Sequence, residues 1–160
     1  MVSKALFAAG CFWGVQYYFD EVPGVTKTTV GYTGGHKVNP TYEEVCTHTT
    51  GHAEAVEIEF DSKQVTYSVL LKQFFRMHNP TQLNRQGPDV GNSYRSAIFY
   101  FDNEQKNAAE HAKKLAQQNF EQPIVTEITK ASQFYPAEEY HQKFTQKTGR
   151  GMCHIPYQPV

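Results

Sequence analysis

Cys11 lies in the run Gly10-Cys11-Phe12-Trp13-Gly14, beside the only tryptophan of the chain. The apolar stretch Lys4–Ala9 leads into it and an aromatic-rich stretch leads out, so Cys11 falls where a strand gives way to a helix. Gly10 permits the tight turn that such a junction needs. At a helix start, unpaired N–H groups and the helix dipole favour an anion, which lowers a thiol's pKa and makes it a nucleophile. The position also suits a small buried apolar cysteine. Phe12 and Trp13 beside the thiol could wall a pocket for a thioether-like methyl group, and they equally suit a plain core.

A candidate acid comes from strand parity in "GHAEAVEIEFD". Glu54, Val56, Ile58 and Phe60 share one face; Ala53, Ala55, Glu57 and Glu59 share the other. Glu54 therefore stands on the apolar face at a strand end. There its carboxyl loses hydration, its pKa rises, and it can hold a proton near neutral pH as a general acid. The alternative is a strand-end glutamate that bends out to water. Tyr42 in "NPTYEEVC" and Tyr94 in "GNSYRSAIF" are neutral donors able to meet an oxygen that gains charge in a transition state. Among 10 tyrosines, spacing alone does not select these two, and Asp89 is equally ambiguous. Cys46, His48 and His52, with Cys153-His154, could hold zinc, but without the paired spacing of structural zinc sites.

These residues need elements to place them. Strands are expected over Lys4–Ala9, Val25–Tyr32, Ala53–Phe60, Ser96–Phe101 and Val125–Ile128. Helices are expected over Phe12–Asp20, Thr41–Val45 (capped by Thr41), Ser68–Met77 and from Asn103, as its cap, to about Asn119. Residues 79–94 form a long loop, and a loop of that length in a small domain is more often functional than idle. Beyond Tyr135 the chain reads as polar and loop-like, with one helical turn near 138–143. The order βαββαβ, then αβ, predicts an α+β sandwich: a ferredoxin-like unit with helices on one face of a mostly antiparallel sheet, an extra helix and strand, and a long irregular C-terminal tail.

The 160 residues fit a single domain spanning 1–160 that buries roughly two-thirds of its unfolded surface. A net charge of -1 gives no reason to expect nucleic acid or an anionic membrane, and no apolar run is long enough to span a bilayer. Ala8-Ala9-Gly10-Cys11 looks a little like a lipidation site. Only Ala5–Ala9 precede it as an apolar stretch, too short for a signal core, so the chain is expected to be cytoplasmic. Three cysteines in such a chain suit a reactive thiol, a transient disulfide or a buried apolar residue rather than a disulfide framework.

"GCFWG", "GYTGG" (31–35), "NPTYEEVC" (39–46), "TGHAEAV" (50–56) and "YRSAIF" (94–99), in that order, resemble the A-type peptide methionine sulfoxide reductases over nearly the whole chain. The resemblance implies thiol-dependent reduction of the S epimer of methionine sulfoxide, free or in proteins. It makes Cys11 the nucleophile and gives the substrate methyl to Phe12 and Trp13. Glu54, Tyr42 and Tyr94 would bind and protonate the sulfoxide oxygen, and Asp89 would help to bind substrate. Cys11 is left as a sulfenic acid. A second cysteine closes a disulfide that thioredoxin reduces. Cys153, in the Gly- and Pro-rich stretch "TGRGMCHIPYQP", is expected to be that resolver, with Cys46 as rival. No metal or organic cofactor is implied, and the enzyme is expected to act as a monomer. The pattern departs from the family at His48, where glycine is expected, and at Pro88, where asparagine is expected. The further C-terminal cysteine of some relatives is absent. Members also occur fused to other domains. Two other readings compete: a thiol peroxidase or peroxide sensor, for which an aromatic pocket has no purpose, and a zinc-stabilised binding module on Cys46, His48 and His52.

Overall fold

The computed structural model describes residues 2–150. In chain order the elements are β1 (Val2–Ala9), α1 (Phe12–Asp20), β2 (Val25–Thr33), α2 (Tyr42–Cys46), β3 (Ala53–Asp61), α3 (Tyr67–Met77), β4 (Arg85–Gln86), β5 (Asp89–Val90), a 3₁₀ turn (Asn92–Tyr94), β6 (Ser96–Tyr100), α4 (Asn103–Gln117), β7 (Glu127–Lys130), β8 (Tyr135–Pro136), a second 3₁₀ turn (Glu139–His141) and α5 (Phe144–Thr148). Six strands form one sheet in the order β7-β6-β1-β3-β2-β8. Its pairings are antiparallel except that of β6 with β7. The inner four strands, with α1 and α3 as crossings, are the expected ferredoxin-like unit, and β7 and β8 extend its two edges. No helix among the described residues is long and apolar enough to cross a membrane.

β1 is central, which explains its unbroken apolar run: Ala5 to Ala9 are fully buried. On one face Phe7 meets Phe19 of α1 and Phe74 of α3, with ring centroids 5.7 and 5.1 Å apart. On the other, Leu6, Ala8, Ala53, Ala55, Ala97 and Phe99 pack beneath Phe134 and Ala131. Parity in β3 follows the expected split: Val56, Ile58 and Phe60 enter the main core while Glu57 and Glu59 stay half-exposed.

Three local expectations need correction. α4 is capped by Asp102 rather than Asn103: Asp102 has extended backbone and its carboxylate accepts from the Gln105 N–H at 2.9 Å. β7 begins at Glu127 rather than Val125, because the Val125 N–H donates to the Pro80 carbonyl (2.9 Å) instead of joining the ladder. The stretch after Tyr135 is not loose as far as residue 150. β8 pairs with β2, its Pro136 on an edge where no ladder donor is required. Gln142 extends that edge with its side chain, accepting from the Val30 N–H and donating to the Val30 carbonyl, both at 3.0 Å. The Lys143 N–H donates to the Gln16 side chain at 2.7 Å, and its ammonium pairs with Asp20 at 2.6 Å. Residues 138–143 are thus fastened across β2 and α1, which brings Glu138 and His141 to the end of the sheet that carries Cys11.

Candidate active site

Gly10 has φ +95, a conformation that strains any side chain, and it turns the chain from β1 into α1. Cys11 follows as the N-cap residue of α1, 9% exposed. Phe12 is buried and Trp13 is half-buried against the core, their ring centroids 6.4 Å apart.

Glu54, second residue of β3, stands opposite Tyr32 of β2 and is 1% exposed. Its Oε1 accepts the Phe12 N–H at 3.1 Å. The donor next to Cys11 at the helix start is therefore taken by this carboxyl. Its Oε2 is buried with no hydrogen-bond partner among the described residues. Burial pushes the Glu54 pKa up to about 8. The Phe12 amide opposes that rise and the Asp89 carboxylate adds to it. Burial thus favours the protonated form of this carboxyl near neutral pH.

Tyr42 opens α2, where Thr41 and Glu44 form a capping box. Its ring lies 6.3 Å from that of Phe12 and 6.1 Å from that of Trp13. Burial, then the Glu54 carboxyl, raises its pKa well above the ordinary tyrosine value. Tyr94 closes the first 3₁₀ turn. Its pKa is raised by burial first, then by Glu54, Cys46, Asp89 and Cys11, which all face it. Both phenols stay neutral O–H donors. Asp89 is delivered by the β4–β5 hairpin, paired with Gln86, and its Oδ2 is buried with no hydrogen-bond partner among the described residues. Cys11, Phe12, Trp13, Tyr42, Glu54, Asp89 and Tyr94, drawn from five segments, meet at one place. Cys153 lies outside the described residues.

Cys46 ends α2, half-buried beside this site. Burial pushes its thiol up while the hydrogen bond with Tyr42 opposes that rise. His52 has both ring nitrogens occupied, accepting from the Gly35 N–H (3.1 Å) and donating to the Lys37 carbonyl (2.7 Å). Among the described residues no three His, Cys, Asp or Glu side chains are grouped to hold a metal.

Sequence reasoning missed a second ring of residues. The Trp13 indole N–H donates to His141 Nδ1 at 2.9 Å, which puts the imidazole proton on Nε2. Burial holds the His141 pKa below the usual value, against Glu138, and so keeps the ring neutral and able to accept. The imidazole packs on Tyr42 and Phe12, at 4.3 and 5.4 Å. Phe144 stacks on the outer face of Trp13 at 4.0 Å. Glu138 accepts from the Tyr32 hydroxyl (2.9 Å) and the Tyr42 N–H (3.0 Å). Burial works against its ionisation, yet these donors hold its pKa below the ordinary range. These contacts span about a hundred residues or more, and no periodicity signals them.

The site sets the Cys11 thiol beside the rings of Phe12, Trp13 and Tyr42, a buried carboxyl and two phenols, an arrangement that suits a small polarised S=O group next to a methyl. A family model described as "Peptide methionine sulfoxide reductase" matches residues 3–160. A peptide methionine sulfoxide reductase MsrA from Methanothermobacter thermautotrophicus is 54% identical over 155 residues, 96% of this chain and 92% of that one. The crystal structure of reduced Mxr1 from Saccharomyces cerevisiae superposes with a TM-score of 0.88 at 32% identity, covering 94% of this chain and 87% of that one. Methionine sulfoxide reductase A of Corynebacterium diphtheriae gives 0.83 at 36% identity, over 98% and 84%. Family model, relatives and architecture agree: the chain belongs to the peptide methionine sulfoxide reductases, oxidoreductases that reduce methionine sulfoxide to methionine.

Proposed function

We propose that Cys11 attacks the sulfur of a methionine S-sulfoxide, free or within a polypeptide, while Glu54 delivers a proton to the sulfoxide oxygen. Tyr42 and Tyr94 hydrogen-bond that oxygen as charge builds on it, and Phe12 and Trp13 hold the methyl group. Asp89 receives the polar part of the substrate. The balance is simple: thiolate, acid and sulfoxide become sulfenic acid, carboxylate and methionine. The oxygen moves to Cys11, the methionine sulfur gains two electrons, and the proton from Glu54 ends on the sulfenic hydroxyl. Cys153 then condenses with the sulfenic acid, releasing water and forming a disulfide, which a thioredoxin dithiol reduces in the cytoplasm. The chain works as a single domain over 1–160, as a monomer.

The observation that carries this reading is the place of Glu54: buried, its pKa pushed up by that burial, one oxygen on the amide next to Cys11 and the other without a hydrogen-bond partner among the described residues. A thiol peroxidase has no use for such an acid inside an aromatic pocket. Reduction measured on the separated S and R epimers of methionine sulfoxide, with hydrogen peroxide as control, tests it. Turnover of the S epimer alone is expected; equal turnover of both epimers, or a preference for peroxide, would refute it.

A further inference from the structure

His48 lies at φ +62, in the left-handed region that favours glycine. It follows α2, where its N–H donates to the Val45 carbonyl at 3.0 Å. A histidine held in that conformation is strained unless its surroundings demand it, and such strain gathers where geometry matters to function. The side chain accounts for the demand. Its Nδ1 lies 3.2 Å from the hydroxyl of Ser93, a residue with no exposed surface. Its carbonyl accepts from the Asn92 side chain at 3.4 Å. Its ring fills the space over Gly91 so fully that a Cβ there would fall inside the imidazole; Gly91 itself has φ +137. The ring meets that of Tyr94 edge-on, centroids 6.1 Å apart. One residue therefore touches four in a row, 91 to 94. That turn links Asp89 to Tyr94 and is tied at its start by the Gly91 N–H on the Asn84 carbonyl (2.8 Å).

We propose that His48 is a positioning residue: it seats the 91–94 turn and so holds the Tyr94 hydroxyl over the sulfoxide oxygen. The proposal rests on the reading of Tyr94 as a donor to that oxygen. His48 lies between α2, which carries Tyr42, and β3, which carries Glu54. Locking the turn to this connection fixes the two phenols and the acid relative to one another. Glycine at 48 would satisfy the backbone and leave the turn without its support.

The test is the single-turnover rate of methionine release from the S epimer in the full chain, read as a double-mutant cycle. His48→Gly relieves the backbone strain, so the thermal midpoint should stay within a few degrees while the rate falls about tenfold, as a misplaced group predicts. His48→Asn accepts the left-handed backbone and places an amide oxygen near the lost Nδ1, so it should return the rate to within about threefold of the parent. In a Tyr94→Phe background, His48→Gly should change the rate less than about twofold, because the group it positions is gone. A parental rate in His48→Gly, or a full tenfold loss that persists in the Tyr94→Phe background, would overturn the proposal. A parental rate in Tyr94→Phe, with Cys11→Ser inactive, would remove the assignment of Tyr94 and this proposal with it, leaving the role of Cys11 untouched.

Discussion

Glu54→Gln should make the protein more stable and less active at once. In the parent the unfolded carboxyl ionises near its ordinary 4.5, and the folded one holds its proton to about 8. Between those values the unfolded state binds fewer protons, so stability falls as pH rises, by about 1.36 kcal/mol per unit. The stability is fully present below about pH 4 and lost once pH has risen through 8, about 5 kcal/mol in all and about 3 kcal/mol by pH 7. Glutamine keeps the oxygen that accepts the Phe12 N–H, puts a neutral donor where Oε2 lies, and does not titrate. Urea unfolding from pH 5 to 9 should give the variant a flatter pH profile and a lead of a few kcal/mol at pH 8 to 9. Glutamine has no carboxyl proton to give, so single-turnover methionine release should fall about 10²–10⁴-fold. In the parent that rate should decline above about pH 8, tenfold per unit, as Glu54 deprotonates. Parallel pH profiles of stability in the two proteins would show that Glu54 is not held neutral by burial, and an unchanged release rate would show that it gives no proton.

Cys11→Ser should fold normally and release no methionine; activity within a few-fold of the parent would remove the nucleophile. Cys153→Ser should still release one equivalent of methionine per enzyme and accumulate a sulfenic acid on Cys11, with thioredoxin-dependent turnover lost. Peptide mapping of the oxidised parent should then find Cys11 joined to Cys153, and a Cys11–Cys46 disulfide would contradict it. His141→Phe keeps the ring but leaves the Trp13 indole N–H without its acceptor, a loss of about 1–3 kcal/mol. The KM for the S epimer should rise by about tenfold or more, and a parental KM with parental tryptophan fluorescence would show that His141 does not orient Trp13.

What the sequence disclosed and what it hid divide along contact distance. Glu54 was legible because strand parity is local: two-residue alternation with Val56, Ile58 and Phe60 is enough to place a carboxyl on an apolar face. Cys11 was legible because a glycine before it and an aromatic helix after it describe a junction within ten residues. The Asp102 cap was missed by one position, since Asp102 and Asn103 are both capping residues and only the backbone chooses. His141, Glu138 and Gln142 were invisible for a different reason. Each lies in a polar stretch with no period, and each earns its place through partners more than 90 residues away: Trp13, Tyr42 and Val30. The division carries through to the chemistry. The groups proposed to meet the sulfoxide sulfur and oxygen, Cys11 and Glu54, are set by short-range rules of turn and parity. The rings and carboxylate around them depend on a distant segment that is held by the pairing of β8 with β2, by Gln142 on Val30 and by Lys143 on Gln16 and Asp20. Trp13 shows both at once. Its backbone is placed by the first turn of α1, next to Cys11, while its indole is fixed from the far end of the chain by His141 on the edge and Phe144 on the face. Loosening residues 138–144 should therefore degrade substrate binding before it touches the reactivity of the thiol.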